Sequence, residues 1–475
     1  MNNNRGSEPA KSWSLDSLVL IFSVIVIAQL LLYLIPQGAF ERVPYPENPD
    51  RSMVVPGTYA AAGADEQVSI RPWDFLLAIP KGFGAAQEII FLIFIVGGVI
   101  AILRKTGAID AALHKAVSRL GGAPWILIGG CLLMFSLGSF TIGMGEEYVP
   151  LIPIIVTMSL AMRMDAIVAM GMVWVPYGIG WACAGTNPFG VLIAQNIASL
   201  PITSGWEFRL VMMAVFLLVA FHHLYRYAIR VQKNPETSFV AHVDYSHGFE
   251  LPRDVKLTVG RVMILLVFLL AIIVFVVGVK LWHWYIPELL AIFLFVGLLA
   301  AAIARMPAGE TSRTFIEGAA DMTAAALLVG FARSIEQVLA DGQVIDTVIN
   351  AIAGILTGLG PEASALGMLV VQTVTNFFIP SGSGQAFVTM PIMSPLATLT
   401  DVPQQTAVLA FQFGDGFTNM IVPTSALVMG ALALGKIPYG AWVRFIGPLL
   451  LKLFALAAVF LVLTIYVGDA VGFNP

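Results

Sequence analysis

Three carboxylates stand inside stretches that are otherwise apolar. Glu146 and Glu147 belong to the segment GMGEEYV, and Asp415 is the centre of FGDGF. An ionised carboxylate at membrane depth is costly, and it is usually retained to hold a cation, a proton or a partner group. We therefore expect these residues to bind a coupling cation or the positive group of a ligand. The alternatives are a paired structural carboxylate, or a position nearer the membrane surface.

Small neutral polar residues cluster around the same segments. Hydroxyl and amide oxygens suit a hard cation such as sodium, although helix capping uses the same residue types. The predicted substrate-binding residues are Glu146, Glu147, Thr186, Asn187, Ser381, Ser383, Gln385, Asp415, Asn419 and Thr424. The predicted sodium ligands are Ser139, Thr141, Asn187, Asn376, Thr418 and Asn419. A sodium ion or a proton is the expected coupling ion, and no other cofactor is expected.

The composition indicates where these residues lie. Of the 475 residues, 58% are hydrophobic and only 11% are charged, whereas soluble domains are about a quarter charged. Most of the chain must therefore sit in lipid. A net charge of −4 is too small to argue for a nucleic-acid partner. Cys131 and Cys183 lie in apolar stretches without the spacing of a disulfide framework or a zinc site.

Apolar stretches of about 20 residues predict helices that cross the membrane. They lie near 17–36, 87–103, 166–198, 209–226, 261–279, 286–304, 321–340, 405–434 and 445–466. The implied organisation begins with a cytoplasmic tail (1–16) and a first repeat (17–231). A cytoplasmic loop (232–260) and a linking transmembrane helix (261–283) then lead to a second repeat (284–475).

Basic residues set the expected orientation of these crossings. Arg5 and Lys11 precede the first crossing, while Arg226, Arg230 and Lys233 open the long inner loop. Because basic residues favour the cytoplasmic side, we expect the N-terminus in the cytoplasm.

Two apolar stretches, 124–162 and 361–399, are interrupted midway by Gly, Ser and polar residues. Each predicts a re-entrant helical hairpin with its tip inside the membrane, where polar backbone is tolerated only against protein or water. The crossings at 166–198 and 405–434 are broken in turn, with Pro188 and Pro423 in the breaks. Proline removes a backbone donor, so each break offers free carbonyls and a new helix N-terminus to ions and anionic groups.

The two halves of the chain repeat one another. KGFGAAQ matches FIEGAADM before a crossing, GMGEEYV matches GSGQAFV at the hairpin tips, and YGIGW matches FGDGF before the breaks. An odd number of crossings separates the copies, so the second copy runs through the membrane in the opposite sense. The predicted fold is therefore an all-α polytopic membrane protein with an inverted repeat, two opposed hairpins and two broken helices, an architecture of many secondary transporters.

An intramembrane enzyme is the competing class, because FGDGF and PSGSG superficially resemble aspartyl and serine protease motifs. A GxGD motif would need Gly in place of Gln412, and a GxSG motif would need Gly in place of Ser381 or Ile379. Without HExxH or a P-loop either, we expect no enzymatic activity. A channel is a further alternative, but hairpins that meet at a midplane site favour alternating access.

The longest matching segments also resemble a known family. GMGEEYVPLIPI with GTNPFGVLIAQ, and PSGSGQAFVTMPIMSPLA with VLAFQFGDGFTNMIVPTSALVMGALALGKIPY, are similar to the YfcC-type branch of the anaerobic four-carbon dicarboxylate carrier (DcuC-like) family, within the ion transporter superfamily. The resemblance implies an inner-membrane carrier whose mobile transport domain moves against a scaffold, often as a homodimer. Members of this branch are described as basic amino acid or arginine/ornithine antiporters, whereas the broader family exchanges dicarboxylates.

The charges favour one of these substrates. No Lys or Arg stands at a hairpin tip or a helix break, and the spacing of Arg333 and Glu336 predicts only a local ion pair near the outer membrane surface. An amino acid, above all a basic one, could pair its cationic group with the carboxylates. If sodium or protons use the carboxylates fully, a sodium- or proton-coupled C4-dicarboxylate carrier is the alternative.

Overall fold

Helices make up most of the described chain. The structure, a computed structural model, describes residues 17–45, 48–63, 65–112, 115, 123–245, 256–282, 284, 286–356 and 358–474. Among these residues, six helices are long and apolar enough to cross a membrane, which agrees with a polytopic all-α membrane protein. The predicted tail at 1–16 lies outside the described residues.

In the first half, helix α1 is followed by two short antiparallel strand pairs and then by further helices. The bounds are α1 Ser17–Leu31, β1 Gly38–Ala39, β2 Arg42–Tyr45, β3 Asn48–Val54, β4 Ala60–Ala61, α2 Asp74–Ala85, α3 Gln87–Lys105, α4 Pro124–Thr141, the 3₁₀ helix Glu146–Leu151, α5 Ile152–Ala161, α6 Ala166–Ala182, α7 Val191–Ile197 and α8 Trp206–Lys233. Strand β1 pairs with β4 and β2 pairs with β3.

In the described part of the second half, the regular elements that follow a short 3₁₀ turn at Pro235–Thr237 are all α-helices. The bounds are α9 Val259–Trp282, α10 Ile286–Ile303, α11 Ala308–Ala320, α12 Thr323–Asp341, α13 Ile345–Leu356, α14 Pro361–Phe378, α15 Gly382–Leu399, α16 Gln404–Thr418, α17 Ala426–Leu434 and α18 Tyr439–Val467.

The helix bounds agree with the predicted interruptions. Helix α4 ends at Thr141 before the carboxylates, and α14 ends at Phe378 before the tip of the second hairpin. The two broken crossings are α6 with α7 and α16 with α17, which end and restart on either side of the proline segments.

Several elements differ from the sequence-based expectation. Helix α8 continues to Lys233, so Arg226, Arg230 and Lys233 lie on a helix rather than in the predicted loop. The sequence analysis also missed α2, α11 and α13, which have 12, 13 and 12 residues. These helices are shorter than a membrane crossing and bury one face only, so a search for long apolar stretches does not detect them.

Helix packing relates the two halves. Helix α2 packs against α12 while α11 packs against α3, and α1 packs against α12 while α10 packs against α3. Around the interrupted elements, α4 packs on α6 as α14 packs on α16. Each of these contacts thus has a counterpart between the matching elements of the other copy, so the repeated sequence has a counterpart in repeated packing.

The broken helices α6 and α16 cross at glycines. A Cβ atom on Gly416 would lie 2.5 Å from the backbone nitrogen of Ala182, and one on Gly178 would lie 2.9 Å from the carbonyl oxygen of Gly416. Small residues let helix backbones approach closely in membranes. Gly178 and Gly416 therefore serve this crossing, whereas Gly180 packs against the backbone of Ser136 on α4 and Gly414 packs against Gln372 on α14.

Candidate functional site

A cavity of about 900 Å³ lies where both hairpin tips and both helix breaks meet. The first hairpin contributes Gly143, Glu146 and Glu147, and the second contributes Ser381 and Ser383. The helix breaks add Thr186, Pro188, Phe189, Asn419 and Ser425. This volume lies within the range that ligand pockets occupy in proteins.

The tip of the first hairpin is fixed by bonds within itself. Gly143 has φ 82°, a left-handed conformation that glycine adopts without steric cost. The backbone N–H of Gly145 donates to a carboxylate oxygen of Glu147 at 2.7 Å. Ser139 Oγ donates to the carbonyl of Met144 at 2.8 Å. These contacts fix the backbone of the tip and the Glu147 carboxylate at the cavity wall.

The first helix break is tied to this tip. Thr186 Oγ1 donates to the carbonyl of Thr141 at 2.9 Å. Asn187 is fully buried, and its Oδ1 accepts the backbone N–H of Phe189 at 2.8 Å. The hairpin and the broken helix of the first copy therefore form one hydrogen-bonded unit.

Asp415 lies one layer behind the cavity wall. Its side chain is fully buried and accepts N–H groups from Asn376 at 2.8 Å, from Asn419 at 2.9 Å, and from the indole of Trp181. Trp181 and Asn419 line the cavity, whereas Asp415 does not. Three donors on one carboxylate are the solvation that a buried negative charge requires.

A chain of amides extends from Asp415 into the second hairpin. Asn376 Nδ2 also donates to Gln385 Oε1 at 3.0 Å, and Gln385 Nε2 donates to Gln372 Oε1 at 2.7 Å. Thr389 Oγ1 donates to the same Gln372 oxygen at 3.0 Å. Both arms of the hairpin are thereby connected to Asp415.

Acceptor oxygens near the second break remain unused. Four such oxygens are buried and have no hydrogen-bond partner in the described part of the chain. They are Asn376 Oδ1, Asn419 Oδ1, Thr375 Oγ1 and Thr424 Oγ1. Buried polar atoms are rarely left unsatisfied, and amide and hydroxyl oxygens are the ligands that a hard cation prefers. Asn376 and Asn419, which both contact Asp415, therefore offer oxygens that fit a sodium ion.

The predicted site residues fall into two groups. Those that line the cavity are Thr141, Glu146, Glu147, Thr186, Ser381, Ser383 and Asn419. Those that do not line it and are buried are Ser139, Asn187, Asn376, Gln385, Asp415, Thr418 and Thr424. Both groups belong to the hairpins and helix breaks that surround the cavity. Residue type and spacing alone do not tell which residues line the cavity wall and which are buried behind it.

The sequence analysis missed two charged residues of the wall. Glu88 follows the junction of α2 and α3, and Arg333 lies on α12; both line the cavity. The expected ion pair between Arg333 and Glu336 is present, but it lies at the cavity and not merely at an outer surface. The only signal for Glu88 is its place just after the repeated KGFGAAQ segment.

A buried arginine supports the broken helices from outside. Arg209 on α8 is fully buried, and it donates to the side-chain oxygens of Gln412 and, at 2.9 Å, of Gln405. Gln412 in turn donates to the carbonyl of Ala184 at 3.1 Å, at the first helix break. Neutral acceptors thus hold this cation against α16.

A cavity that carries charged and polar side chains and is formed by paired hairpin tips and helix breaks, within helices able to cross a membrane, defines a multi-pass membrane transporter of a small molecule. The chain belongs to the C4-dicarboxylate anaerobic carrier (DcuC) family, whose model matches residues 15–466. The resemblance to this family seen in the sequence is thereby confirmed, and its YfcC-type branch is confirmed by a relative of that name that matches nearly the whole chain.

Two relatives match nearly the whole chain. The "Putative basic amino acid antiporter YfcC" of Escherichia coli strain K12 is 34% identical over 95% of this chain and 97% of its own length. An uncharacterized protein of Haemophilus influenzae is 26% identical over 97% of this chain and 98% of its own length.

Two solved structures show more distant likeness. The match to the Alcanivorax borkumensis YdaH transporter covers 97% of this chain and 100% of the YdaH chain, at 15% identity and a TM-score of 0.43. The match to Neisseria gonorrhoeae MtrF, from a class of antimetabolite efflux pumps, covers 95% of this chain and 95% of the MtrF chain, at 17% identity and a TM-score of 0.39. Similarity at this level carries no argument about the site.

Proposed function

We propose that this transporter is a secondary carrier that exchanges basic amino acids of the arginine and ornithine type across the cytoplasmic membrane. The observation that carries the proposal is the charge of the cavity wall. Among the described residues, Glu88, Glu146 and Glu147 line it together with one cation, Arg333, which already pairs with Glu336.

This arrangement suits a ligand with an excess of positive charge. The ammonium or guanidinium of a basic amino acid can pair with the wall glutamates, while its α-carboxylate can bind the free edge of Arg333. The Arg333–Glu336 pair uses one guanidinium nitrogen, Nη1, and a guanidinium has five N–H donors. A dicarboxylate would instead face three carboxylates and a single arginine that has a partner, so Coulomb repulsion opposes it.

The name of the Escherichia coli relative supports the same substrate class. The family description supports the alternative, a sodium- or proton-coupled dicarboxylate carrier, and Arg333 at the wall is the one observation in the structure that favours it. The excess of carboxylates at the wall leads us to prefer the amino acid.

Asp415 and its unused acceptor neighbours are proposed as the coupling site, for sodium or for a proton. A buried carboxylate surrounded by amide and hydroxyl oxygens suits either ion. We further propose an N-terminus in the cytoplasm and a homodimeric assembly, in which the hairpins and broken helices move as one unit against the packed α2, α3, α11 and α12.

Counterflow in proteoliposomes tests the substrate. Vesicles preloaded with ornithine should accumulate labelled arginine, and external lysine, arginine or ornithine should inhibit this uptake. Sodium and pH gradients are imposed separately, and ion dependence identifies the coupling ion. If succinate or fumarate drives and inhibits exchange while the basic amino acids do neither, the dicarboxylate alternative replaces this proposal.

A further inference from the structure

A second cavity lies away from the central one, between helices α8 and α18, with a volume of about 380 Å³. The basic residues that line it are His222, His223, Arg226, Arg230, Arg444 and Lys452. Over the described ranges, no carboxylate lines this cavity. It is therefore a concentration of positive charge that the transport site does not use.

The side chains are held apart from acidic partners. The Arg230 guanidinium stands 5.0 Å from the centre of the Tyr227 ring, and that of Arg444 stands 4.5 Å from the Phe239 ring centre. Stacking on an aromatic face leaves the N–H edge of a guanidinium available. Lys452 Nζ lies 3.5 Å from His223 Nδ1. In the described part of the chain, none of the six basic side chains pairs with a carboxylate.

An acid on the neighbouring elements, Asp165, is already used. Asp165 accepts the hydroxyl of Tyr227 at 2.7 Å, that of Ser238 at 2.6 Å and the backbone N–H of Val168 at 2.9 Å. It therefore caps α6 behind the Tyr227 ring and does not line the cavity. Like charges collected in this way are stabilised by an anion from outside.

The cavity is continuous with an apolar outer face. Lys452 lies about 12 Å beyond Arg444 along α18. Val459 lies seven residues beyond Lys452 on the same helix and has 60% of its surface exposed. On α8, Leu218 is 69% exposed and stands one turn before His222. A cation on the lipid-facing side of a helix is costly unless an anion matches it.

We propose that this cavity binds the phosphate headgroup of an anionic phospholipid, whose acyl chains lie along the apolar rows of Leu218 and Val459. A soluble phosphate offers the same anion but nothing to the exposed apolar rows. Pockets of basic residues between transmembrane helices are a recognised mode of binding to lipid headgroups. The proposal is independent of the transported substrate.

Lipid titration of the delipidated, detergent-purified full-length protein tests this site. Phosphatidylglycerol should bind and raise the melting temperature, whereas phosphatidylcholine and inorganic phosphate should do neither. Each basic residue near an anionic membrane surface contributes roughly a fivefold change in affinity. The double variant Arg444→Gln with Lys452→Gln should therefore bind phosphatidylglycerol about 25-fold more weakly.

Lys233→Gln is the matched control, because Lys233 is an exposed basic residue at the end of α8 that does not line the cavity. It should bind phosphatidylglycerol as the unmodified protein does. Arg226→Gln, a single change at an exposed position, gives a second test if the double variant does not fold, with about a fivefold loss expected. Equal binding of phosphatidylcholine, an equal effect of inorganic phosphate, or unchanged affinity in the cavity variants would overturn the proposal.

Discussion

The indole of Trp181 joins the cavity wall to the buried carboxylate, and Trp181→Phe isolates that connection. The substitution keeps an aromatic ring but removes the N–H that donates to Asp415. A hydrogen bond to a charged group contributes about 1.5–3 kcal/mol. Since Asp415 then has only its bonds to Asn376 and Asn419, its ionised form is destabilised by about that amount.

Trp174→Phe is a close control for this variant. Trp174 lies on the same helix and is fully buried, but its indole nitrogen has no hydrogen-bond partner in the described part of the chain. Both substitutions remove similar ring volume, so their difference reports the hydrogen bond to Asp415.

The assay is uptake by reconstituted protein as a function of coupling-ion concentration. The lost bond stabilises the ion-free carboxylate more than the cation-bound one, so a loss of about 1.5–3 kcal/mol corresponds to a fall of up to roughly 10- to 150-fold in the half-saturating ion concentration for Trp181→Phe relative to Trp174→Phe. If the two variants require the same ion concentration, the bond between Trp181 and Asp415 does not serve coupling, and the reasoning fails.

Further predictions concern the carboxylate, the wall arginine and the helix crossing. Asp415→Asn should abolish coupled uptake while the protein remains in the membrane; normal uptake with normal ion dependence would exclude Asp415 from coupling. Arg333→Gln should raise the KM for the substrate about 10- to 100-fold through the loss of a charge-assisted bond, whereas Arg305→Gln, at an exposed position, should leave KM unchanged. Gly416→Ala places a Cβ atom 2.5 Å from the backbone of Ala182 and should cost about 1–3 kcal/mol of stability, measured as a lower melting temperature. Gly447→Ala, which lies within a helix and meets no atom within 4 Å, should melt no lower than the unmodified protein, because alanine favours the helix over glycine.

The sequence predicted the interrupted elements because their signals are local. Breaks in apolar stretches, with proline or glycine at the centre, correspond to the ends of α4, α6, α14 and α16. The repeat is visible in segments such as YGIGW and FGDGF because close helix contacts require the glycines that these segments share.

The composition of the cavity wall was predicted only in part. Glu146 and Ser381 were found because they stand at interruptions, while Arg333 lies within the regular helix α12 and reaches the cavity through tertiary packing alone. Asp415 was predicted to be functional from its charge, but only the fold shows that it lies behind Trp181 and does not line the cavity. The membrane sidedness of the repeats and the identities of the coupling ion and substrate stay predictions.

The central claim is that the carboxylates of the first hairpin tip select a cationic ligand for the cavity. Equilibrium binding of labelled arginine and labelled succinate to the purified protein, and to the variant Glu146→Gln with Glu147→Gln, tests it most directly. The account predicts that arginine binds, that succinate does not compete, and that the double variant loses arginine binding while its helices stay folded. Binding of succinate to the unmodified protein, or undiminished binding of arginine to the double variant, would contradict it.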